Sequence, residues 1–459
     1  MELEQGKQYI VIGLGASGMA AIRYLHGLGL NVSVSEFRSS GRIDASELEG
    51  LRQLGIPFEI GGHTWDFIKK ADLIIPSPGV PLTIPVLEKA REEGIAIAGE
   101  LALAAGRFSV PVIGVTGSNG KTTVTSLIGH LLRADGHKVF VGGNIGTPLL
   151  DYLQGERDAE VVVLELSSFQ LEISGDFRPD IGLFLNVSPD HLDRHGAMDN
   201  YVSAKRRIFT HQGPGDIAIL GADDAEIMRE PVITAGTVLR FGFQPDFEAC
   251  LTEQGVSIAG PVQGVPMRED YDLTDTLLSS QVNRLNAAAA ILAVRALSCK
   301  PDAIREGLAG YTPPEHRMIL VREMDGVRYV DDSKATNIGA VAAALSSSAN
   351  QVILIGGGRD KGSDFALLRP FVEKHVKGLV LIGESADRME EVLGSLVRVY
   401  RAESLEEAVK IAAETAQPGD IVLLSPGCAS FDMFTSYAHR GQVFQEAVHK
   451  LCRVNQGCC

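Results

Sequence analysis

The segment VIGVTGSNGKTTVTSLIGHLL, residues 112–132, constrains the fold of this chain more than any other. Its first residues, Val112 to Val115, form a short β-branched run bounded by glycine, which is typical of a buried strand. After Lys121, apolar residues recur at the spacing of one helix face. These residues are Val124, Leu127, Ile128, Leu131 and Leu132. The segment therefore predicts a strand, a glycine-rich loop and a helix.

The loop has the composition of a phosphate-binding loop. Glycines let the backbone approach a ligand closely, and the amides at a helix N-terminus attract anions. Lys121 would reach the terminal phosphates of a nucleotide, and Thr122 would coordinate Mg²⁺. Position 115 is valine where the usual motif has its first glycine, so a plain glycine turn before a helix stays open. The residues interpreted as the ATP-binding loop are Gly117, Ser118, Asn119, Gly120, Lys121, Thr122 and Thr123.

Length, charge and cysteine usage limit the class of protein. A chain of 459 residues exceeds one core and predicts about three domains. The net charge of −16 argues against nucleic acid or an anionic membrane as the main partner. The amino-terminal sequence MELEQGKQYIVIGLG carries acids and leads into a strand, unlike a signal peptide. The six cysteines lack the paired spacing of a zinc site or a disulfide framework, so we expect a cytoplasmic protein.

A first α/β block opens on the strand-like run YIVIGLG. Three glycines from Gly13 to Gly18 complete a G-x-G-x-x-G turn, and the next strand, NVSVSE, ends in Glu36, eighteen residues past Gly18. That pattern is close to the dinucleotide fingerprint, so an NAD-dependent enzyme is an open alternative. The same turn can hold any diphosphate. Pro111 precedes the strand of the phosphate loop, and we predict the first domain over 1–109.

Two further blocks follow. The second, predicted over 110–313, contains the phosphate loop and strands that end in polar residues. The proline-broken connection GYTPPEHRM marks its end. Beyond it, QVILIGGG, GLVLIG and DIVLLSPG predict strands of a third block over 314–459. The predicted fold class is α/β with three domains: Rossmann-like at the N-terminus, P-loop ATPase-like in the centre and Rossmann-like at the C-terminus.

Two residues of the central block are candidate metal ligands. Glu165 ends the apolar strand VVVLE, where a buried carboxylate needs a charge partner such as Mg²⁺; an ion-paired core glutamate is the alternative. His191 and His195 are four residues apart, but Leu192 stands where a metalloprotease needs glutamate, so that class is rejected. Taken alone, His191 would more often be a satisfied polar residue. Together with Glu165 it favours a second Mg²⁺.

Lys205 is a third candidate in the same block. It lies in an amphipathic pattern beside Arg206 and Arg207. Three neighbouring cations usually form a solvated or phosphate-binding face. Like charges and burial also lower the pKa of a lysine, which makes its amine reactive. The sequence alone leaves both interpretations open.

Three polar loops follow strands of the third block. They are DDSKATN, GGGRDKGSDF and SPGCASFDMF, starting at Asp331, Gly356 and Ser425. Each alone is a polar turn, but three loops at the carboxyl ends of sheet strands favour a second substrate pocket. No sequence feature activates Cys428 as a nucleophile, so we expect it to pack in the core.

Together these motifs resemble the Mur ligases, the ATP-dependent amide-forming enzymes of peptidoglycan synthesis, over nearly the whole chain. The blocks TGSNGKTT, GGNIG, NVSPDHLDRHG, SAKRRIF, EHRM and DDSKATN follow the order of that family. LELSSFQLE, DDSKATN and SPGCASFDMF resemble its D-glutamate-adding branch. The resemblance implies a monomer that joins D-glutamate to UDP-N-acetylmuramoyl-L-alanine through an acyl phosphate, using ATP and two Mg²⁺ ions.

The resemblance also implies roles for individual residues. The uridine diphosphate contacts would be Ser17, Phe37, Arg38 and Gly79, and the muramoyl-alanine contacts Asn144, Ser167 and Gln170. The adenosine contacts would be Asn283, Asn286, Arg317 and, on the ribose, Asp332. The metal ligands would be Thr122, Glu165, His191 and a carbamylated Lys205, and the catalytic residues Lys121, His191 and Lys205. D-Glutamate would be held by Lys334, Thr336, Lys361, Ser430 and Tyr437.

Three other functions compete with this interpretation. A sister ligase, such as a folylpolyglutamate synthase, would share the central block but not SPGCASFDMF. An NAD oxidoreductase would bind nicotinamide in the first block. A non-catalytic nucleotide switch would hydrolyse ATP without forming an amide.

Overall fold

The computed structural model of the chain describes residues 1–262, 264–348, 350–360 and 362–451. These residues form three sheets and two compact units. The first unit comprises Met1–Leu185, Val202–Asp272 and Asn286–Gly310. The second comprises 186–201, 273–285 and the described residues from Tyr311 onward.

The first sheet alternates with helices, as the pattern of its apolar runs predicts. Its strands are β1 (Gln8–Ile12), β2 (Asn31–Glu36), β3 (Phe58–Ile60), β4 (Leu73–Pro76) and β5 (Ala96–Ile97). Its helices are α1 (Ala16–Gly27), α2 (Ala45–Gln53), α3 (Trp65–Ile68), α4 (Pro85–Glu92) and α5 (Glu100–Ala104). All strand pairs are parallel in the order β3-β2-β1-β4-β5. The order reverses between β1 and β4, which is where such sheets bind ligands.

The second sheet has nine strands among the residues that the structure describes. They are β6 (Val112–Thr116), β7 (Val139–Gly143), β8 (Val161–Glu165), β9 (Ile181–Phe184), β10 (Ile217–Gly221), β11 (Thr237–Gly242), β12 (Ala249–Leu251), β13 (Gly255–Val262) and β14 (Val265–Asp272). Their order is β14-β13-β12-β11-β10-β9-β6-β8-β7, with antiparallel pairing from β12 to β14. The helices of this part of the chain are α6 (Lys121–Ala134), α7 (Leu149–Gln154), α8 (Ser168–Glu172), α9 (Leu192–His195), α10 (Met198–Arg206), α11 (Ala225–Met228), α12 (Gln281–Ala296) and α13 (Pro301–Gly310).

The predicted strand, loop and helix at 112–132 are confirmed. β6 lies between β9 and β8, and α6 starts at Lys121. The apolar side chains predicted for one face of α6 are all fully buried. A β-branched strand that is buried on both faces must be covered by other elements on both sides. α6 packs on the sheet, and together they form the core that supports the loop.

The third sheet lies in the second unit. Its strands are β15 (Ile319–Met324), β16 (Val327–Asp331), β17 (Val352–Gly357), β18 (Val376–Ile382), β19 (Arg398–Arg401) and β20 (Ile421–Leu424). Its helices are α14 (Ile338–Ser346), α15 (Arg369–His375), α16 (Ala386–Leu393), α17 (Leu405–Thr415) and α18 (Tyr437–His449). The order is β15-β16-β20-β17-β18-β19, with an antiparallel first pair and apolar cores on the two faces.

The fold class is the predicted one, with one sheet in each predicted domain. The bounds 1–109, 110–313 and 314–459 stay a prediction, because the first two sheets share one compact unit. Short 3-10 helices cover Ser40–Arg42, Arg207–Phe209 and Phe365–Leu368. Within the described ranges, no helix combines the length and the apolar character that spanning a bilayer requires.

Candidate active site

The loop between β6 and α6 has the geometry of an anion cradle. Gly120 caps α6 in the left-handed region, with φ of 82°. A Cβ atom at Gly120 would lie 2.4 Å from Oδ1 of Asn286. Position 120 therefore requires glycine for two reasons, the left-handed backbone conformation and the close approach of the Asn286 side chain. The same approach places Asn286, a predicted nucleotide contact on α12, directly against the loop.

Two lysines converge on this loop. The Nζ atom of Lys121 donates to the carbonyl oxygens of Gly117 and Ser118, at 2.7 and 2.8 Å. Lys205, on α10, has 1% of its surface exposed, and its Nζ donates to the Gly117 oxygen at 2.8 Å. Two ammonium groups therefore meet at one carbonyl, in a place where they would attract an anion. The structure thus brings Lys205 to the phosphate loop rather than to a solvated face.

Glu165 ends β8 beside the phosphate loop, in register with Val115 of β6. Its Oε1 accepts a hydrogen bond from Nδ2 of Asn144 at 2.8 Å. Its Oε2 is buried and has no hydrogen-bond partner among the described residues. Burying a carboxylate oxygen without a hydrogen bond lowers the stability of the folded chain. Such an oxygen is a suitable ligand for a hard cation such as Mg²⁺. Thr122 belongs to the same unit.

His191 belongs to the second unit. It precedes α9 in the left-handed region, with φ of 55°, and its Nε2 lies 3.7 Å from Oδ2 of Asp190. A positive φ is uncommon for a residue other than glycine, and such residues cluster at functional sites. Its role as a second metal ligand stays a prediction.

A cavity of about 480 Å³ joins the first two sheets within the first unit. It collects residues predicted for both ends of the sugar nucleotide, Ser17, Arg38, Gly79, Asn144 and Gln170. Because Asn144 also donates to Glu165, the cavity leads from the first glycine loop toward the phosphate loop. Two predicted contacts lie outside its lining. Phe37 is 73% exposed near His63, and Ser167 caps α8 in a reciprocal capping box with Gln170.

The carboxylate of Glu36 is hydrogen-bonded to the backbone of the first glycine loop. Its Oε2 accepts from the amide of Leu14 at 2.7 Å, and its Oε1 accepts from the amide of Arg38 at 2.8 Å. Burial raises the pKa of this carboxyl, but the hydrogen bonds from Arg38 and Leu14 outweigh it and lower the pKa below its usual value. In an NAD enzyme this carboxylate would bind the ribose. Here the chain itself uses both oxygens.

Sequence reasoning missed Glu100, the first residue of α5. It is buried near Ser17 and Gln170, and its Oε1 accepts from the Leu150 amide at 3.2 Å. Burial raises its pKa, and the polar groups of Leu150 and Ser17 oppose that rise. The only available signal was one acid at the start of the apolar run ELALAA.

In the second unit, the three polar loops follow β16, β20 and β17, which are neighbours in the sheet. The backbones of Arg359 and Ala429 exchange two hydrogen bonds of 2.9 Å between two of these loops. The Nζ atom of Lys334 lies 3.7 Å from the centre of the Tyr437 ring. The loops therefore lie at the ends of sheet strands as predicted, and the substrate pocket that they would form stays a prediction. Ser430 is buried, Thr336 is half-buried, and Lys361 lies outside the described residues.

Two nucleotide contacts predicted in the second unit, Arg317 and Asp332, lie close enough to interact electrostatically. Burial raises the pKa of Asp332 to about 7, against the opposing effects of the Ser425 hydroxyl at 2.9 Å and the Arg317 charge. Arg317 lies between His316 and Met318, whose φ angles are 61° and 51°. Each of these left-handed residues costs on the order of 1–3 kcal/mol of backbone strain. Together they fix the direction of the backbone at Arg317. Asn283 lies on α12, three residues before Asn286.

Arg440, on α18, was also missed. Its side chain is 1% exposed and donates to the carbonyls of Ser333 and Cys428 at 2.8 and 3.1 Å. It therefore ties two of the polar loops together, and burial lowers its pKa to about 10. No helix pattern distinguishes a buried arginine from an exposed one. Burial also raises the pKa of Cys428 to about 11, which agrees with the predicted packing role.

Three family models match successive parts of the chain. Residues 7–99 match the Mur ligase MurD-like N-terminal domain. Residues 115–294 match the Mur ligase middle domain. Residues 316–428 match the Mur ligase glutamate ligase domain.

Similar proteins cover nearly the whole chain. A protein of Desulfotalea psychrophila named UDP-N-acetylmuramoylalanine--D-glutamate ligase is 46% identical, over 96% of each chain. A protein of Koribacter versatilis with the same name is 43% identical, over 97% of this chain and 98% of its own. The solved structure of a MurF ligase from Thermotoga maritima in complex with ADP is 20% identical, covers 97% of this chain and 96% of its own, and superposes with a TM-score of 0.59.

Proposed function

The chain belongs to the Mur ligase family, and on that premise we propose that it is the ATP-dependent ligase that adds D-glutamate to UDP-N-acetylmuramoyl-L-alanine. The observation that carries the proposal is full-length similarity to relatives named for this reaction. The resemblance found in the sequence motifs is thereby confirmed. The reaction forms one amide bond in a peptidoglycan precursor and converts ATP to ADP and phosphate.

The first step activates a carboxylate, which by itself is a poor electrophile. The alanyl carboxylate oxygen attacks the γ-phosphorus of ATP, the bond to the β-phosphate oxygen breaks, and an acyl phosphate and ADP result. Lys121 and the loop amides would stabilise the charge on the transferring group. The support is the position of the Lys121 ammonium group, which donates to the Gly117 and Ser118 carbonyls of the loop.

Residues of this chain fit a magnesium site. The buried Oε2 of Glu165 has no hydrogen-bond partner among the described residues, and Thr122 is the second residue of α6, directly after the phosphate loop. We assign Thr122, Glu165, His191 and a modified Lys205 as the ligands. Bound Mg²⁺ would neutralise phosphate charge during the transfer. Asn144 holds the other oxygen of Glu165, so it orients the carboxylate.

The second step joins D-glutamate. Its neutral amine attacks the carbonyl carbon of the acyl phosphate, the tetrahedral intermediate expels phosphate, and the amine nitrogen loses a proton. We assign D-glutamate to the loops of the second unit, through Lys334, Thr336, Lys361, Ser430 and Tyr437. A pocket that fixes two carboxylates and an amine also fixes handedness.

A release assay tests the function. Phosphate release from ATP should require both UDP-N-acetylmuramoyl-L-alanine and D-glutamate, because the acyl phosphate forms only on the first and is consumed by the second. L-Glutamate and L-lysine are the matched controls and should give background rates. Equal turnover with either one would reject the assignment, and tight NADH binding would favour the oxidoreductase.

We also propose that Lys205 is carbamylated. Its neutral amine would attack CO₂, lose a proton and become an anionic oxygen ligand suited to Mg²⁺. Burial of Lys205 and its position at the Gly117 carbonyl support this, because an unmodified ammonium would repel the cation.

We further propose that the enzyme is a cytoplasmic monomer. Light scattering of the purified chain tests the oligomeric state.

The Lys205→Ala variant tests the modification. It should lose most activity while still binding UDP-N-acetylmuramoyl-L-alanine, and acetate should restore part of the loss by replacing the carbamate oxygens. Labelling with ¹³CO₂ should give a carbamate signal in the parent protein alone. Full activity in this variant would end the hypothesis, as would the absence of any carbamate signal in the active parent enzyme.

A further inference from the structure

Three side chains of different chemistry meet at the end of α6 opposite the phosphate loop. Asp135 follows the last residue of the helix, His137 lies two residues later, and Cys299 follows α12. One carboxylate oxygen, one ring nitrogen and the sulfur all lie within 4.8 Å of one another. α6 has 14 residues, so this cluster is about 20 Å along the helix from Lys121.

Packing fixes the cluster from both sides. Oδ1 of Asp135 accepts from the Lys300 amide at 3.4 Å, and Oδ2 lies 3.6 Å from Nε2 of His137. α13 packs closely on α6, since a Cβ atom at Gly307 would lie 2.8 Å from the side chain of Leu131. The three groups therefore sit on two elements that the core already joins.

The surroundings of His137 add an independent observation. Its second ring nitrogen, Nδ1, lies 3.8 Å from Oε2 of Glu160, and that carboxylate accepts from the Lys138 amide at 2.9 Å. A histidine that binds a metal usually directs its other nitrogen at a carboxylate, which orients the ring and strengthens the ligand. Here Nε2 faces the cluster and Nδ1 faces Glu160.

The charges around the cluster permit a cation. Arg295 donates to the backbone oxygen of Cys299, but its charge is paired with Glu269 at 2.9 Å. Lys138 lies 3.8 Å from Asp158. Burial, and then the neighbouring Asp135, raises the pKa of the Cys299 thiol to about 12. Without a metal the thiol proton therefore stays on sulfur, next to Asp135.

We infer that Asp135, His137 and Cys299 form a binding site for a thiophilic transition-metal dication such as Zn²⁺, distinct from the magnesium site of the reaction. Sulfur, imidazole and carboxylate are zinc ligands, and thiolate disfavours Mg²⁺. On binding, the Cys299 S–H bond breaks, its proton goes to solvent and the sulfur bonds to the metal. The ion would clip the end of α6 to the turn between α12 and α13.

Cobalt titration tests the site, because Co²⁺ shows a thiolate charge-transfer band that oxygen ligands do not produce. The full chain should carry Cys452, Cys458 and Cys459 replaced by serine, since thiols outside the described residues could bind cobalt themselves. We expect this band at one equivalent of Co²⁺. Cys299→Ser and His137→Gln should abolish it, and the control Cys250→Ser should keep it.

Two outcomes would overturn the inference. One is the absence of a thiolate band in the serine background, which would mean that Cys299 binds no metal and only donates a hydrogen bond to Asp135. The other is a band that survives in Cys299→Ser. Zn²⁺ should also raise the Tm of the background protein more than that of His137→Gln, and equal shifts would count against the site. His137 is half-exposed, so this variant should fold and keep basal ligase turnover.

Discussion

The first unit contains two glycine loops of similar construction, and they differ in what surrounds them. The loop after β1 has the complete G-x-G-x-x-G pattern, yet one of its amides, that of Leu14, donates to the chain's own carboxylate, Glu36. The loop after β6 departs from the usual motif at Val115, yet it collects two lysines and a buried acid. Glycine spacing therefore predicts the turn, and the residues ending neighbouring strands decide its chemistry.

The largest expected effect is a loss of turnover when the positive charge of Lys121 is removed from the loop after β6. Lys121→Ala should lower turnover by about a hundredfold or more, or about 3 kcal/mol of transition-state stabilisation. The fold should survive, because the Lys121 ammonium donates to carbonyl oxygens of the loop that it serves and its side chain is only partly buried. Steady-state phosphate release measures the loss, and Lys69→Ala, an exposed lysine of the same unit, is the control. Near-normal turnover would mean that the loop after β6 does not hold the reacting phosphates.

Backbone proximity should matter most in the loop after β1. A Cβ atom at Gly18 would lie 2.0 Å from the carbonyl oxygen of Gly13, whereas one at Gly15 meets nothing within 4 Å. Gly18→Ala should therefore lower the free energy of unfolding by about 2 kcal/mol, as overpacking does. Gly15→Ala is the matched control, measured by urea denaturation. Equal stability of the two variants would contradict the close approach.

Glu36→Gln tests whether that carboxylate shapes the first loop. Glutamine keeps one acceptor and loses the charge, so the KM for the UDP-linked substrate should rise about tenfold, or about 1.4 kcal/mol, with little change in kcat. Glu88→Gln, an exposed acid on α4, is the control. A fall in kcat at unchanged KM would instead place Glu36 in the chemical step.

The smallest effect is a pH dependence at the same residue. The pKa of Glu36 is lowered in the folded chain, so its contribution to stability is present above the unfolded pKa and is lost as pH falls through the folded pKa. The stability advantage of the parent protein over Glu36→Gln should therefore shrink from pH 6 toward pH 3. Thermal unfolding across this range measures it, and an advantage that grows on acidification would reverse the assigned direction.

Much of the fold was accessible to sequence reasoning because periodicity was strong. The runs around β1, β6, β8, β17 and β20 are apolar and end at glycine or polar residues, and each is a strand. The hairpin of β13 and β14 was missed. Its second strand reads VPMREDYD and consists of exposed and partly buried residues apart from the buried Tyr271, with no continuous apolar run.

The candidate site divides in the same way. The loop residues and Glu165 were found because local motifs define them, and most other roles came from the family resemblance. Glu100 and Arg440 were missed because their importance depends on burial, which is set by elements distant in sequence. The Cys299 cluster was missed because residues 135, 137 and 299 become neighbours only when α13 packs on α6.

The buried oxygen of Glu165 that has no hydrogen-bond partner among the described residues has a consequence for how this chain can evolve. An acid oxygen in that position subtracts from the stability of the folded chain, so selection for stability alone would replace it with an apolar side chain. Such a replacement would gain thermal tolerance and lose the cation ligand. Thermostable variants found by screening without an activity requirement should therefore accumulate changes at this position, and the residue that weakens the fold marks where function constrains the sequence.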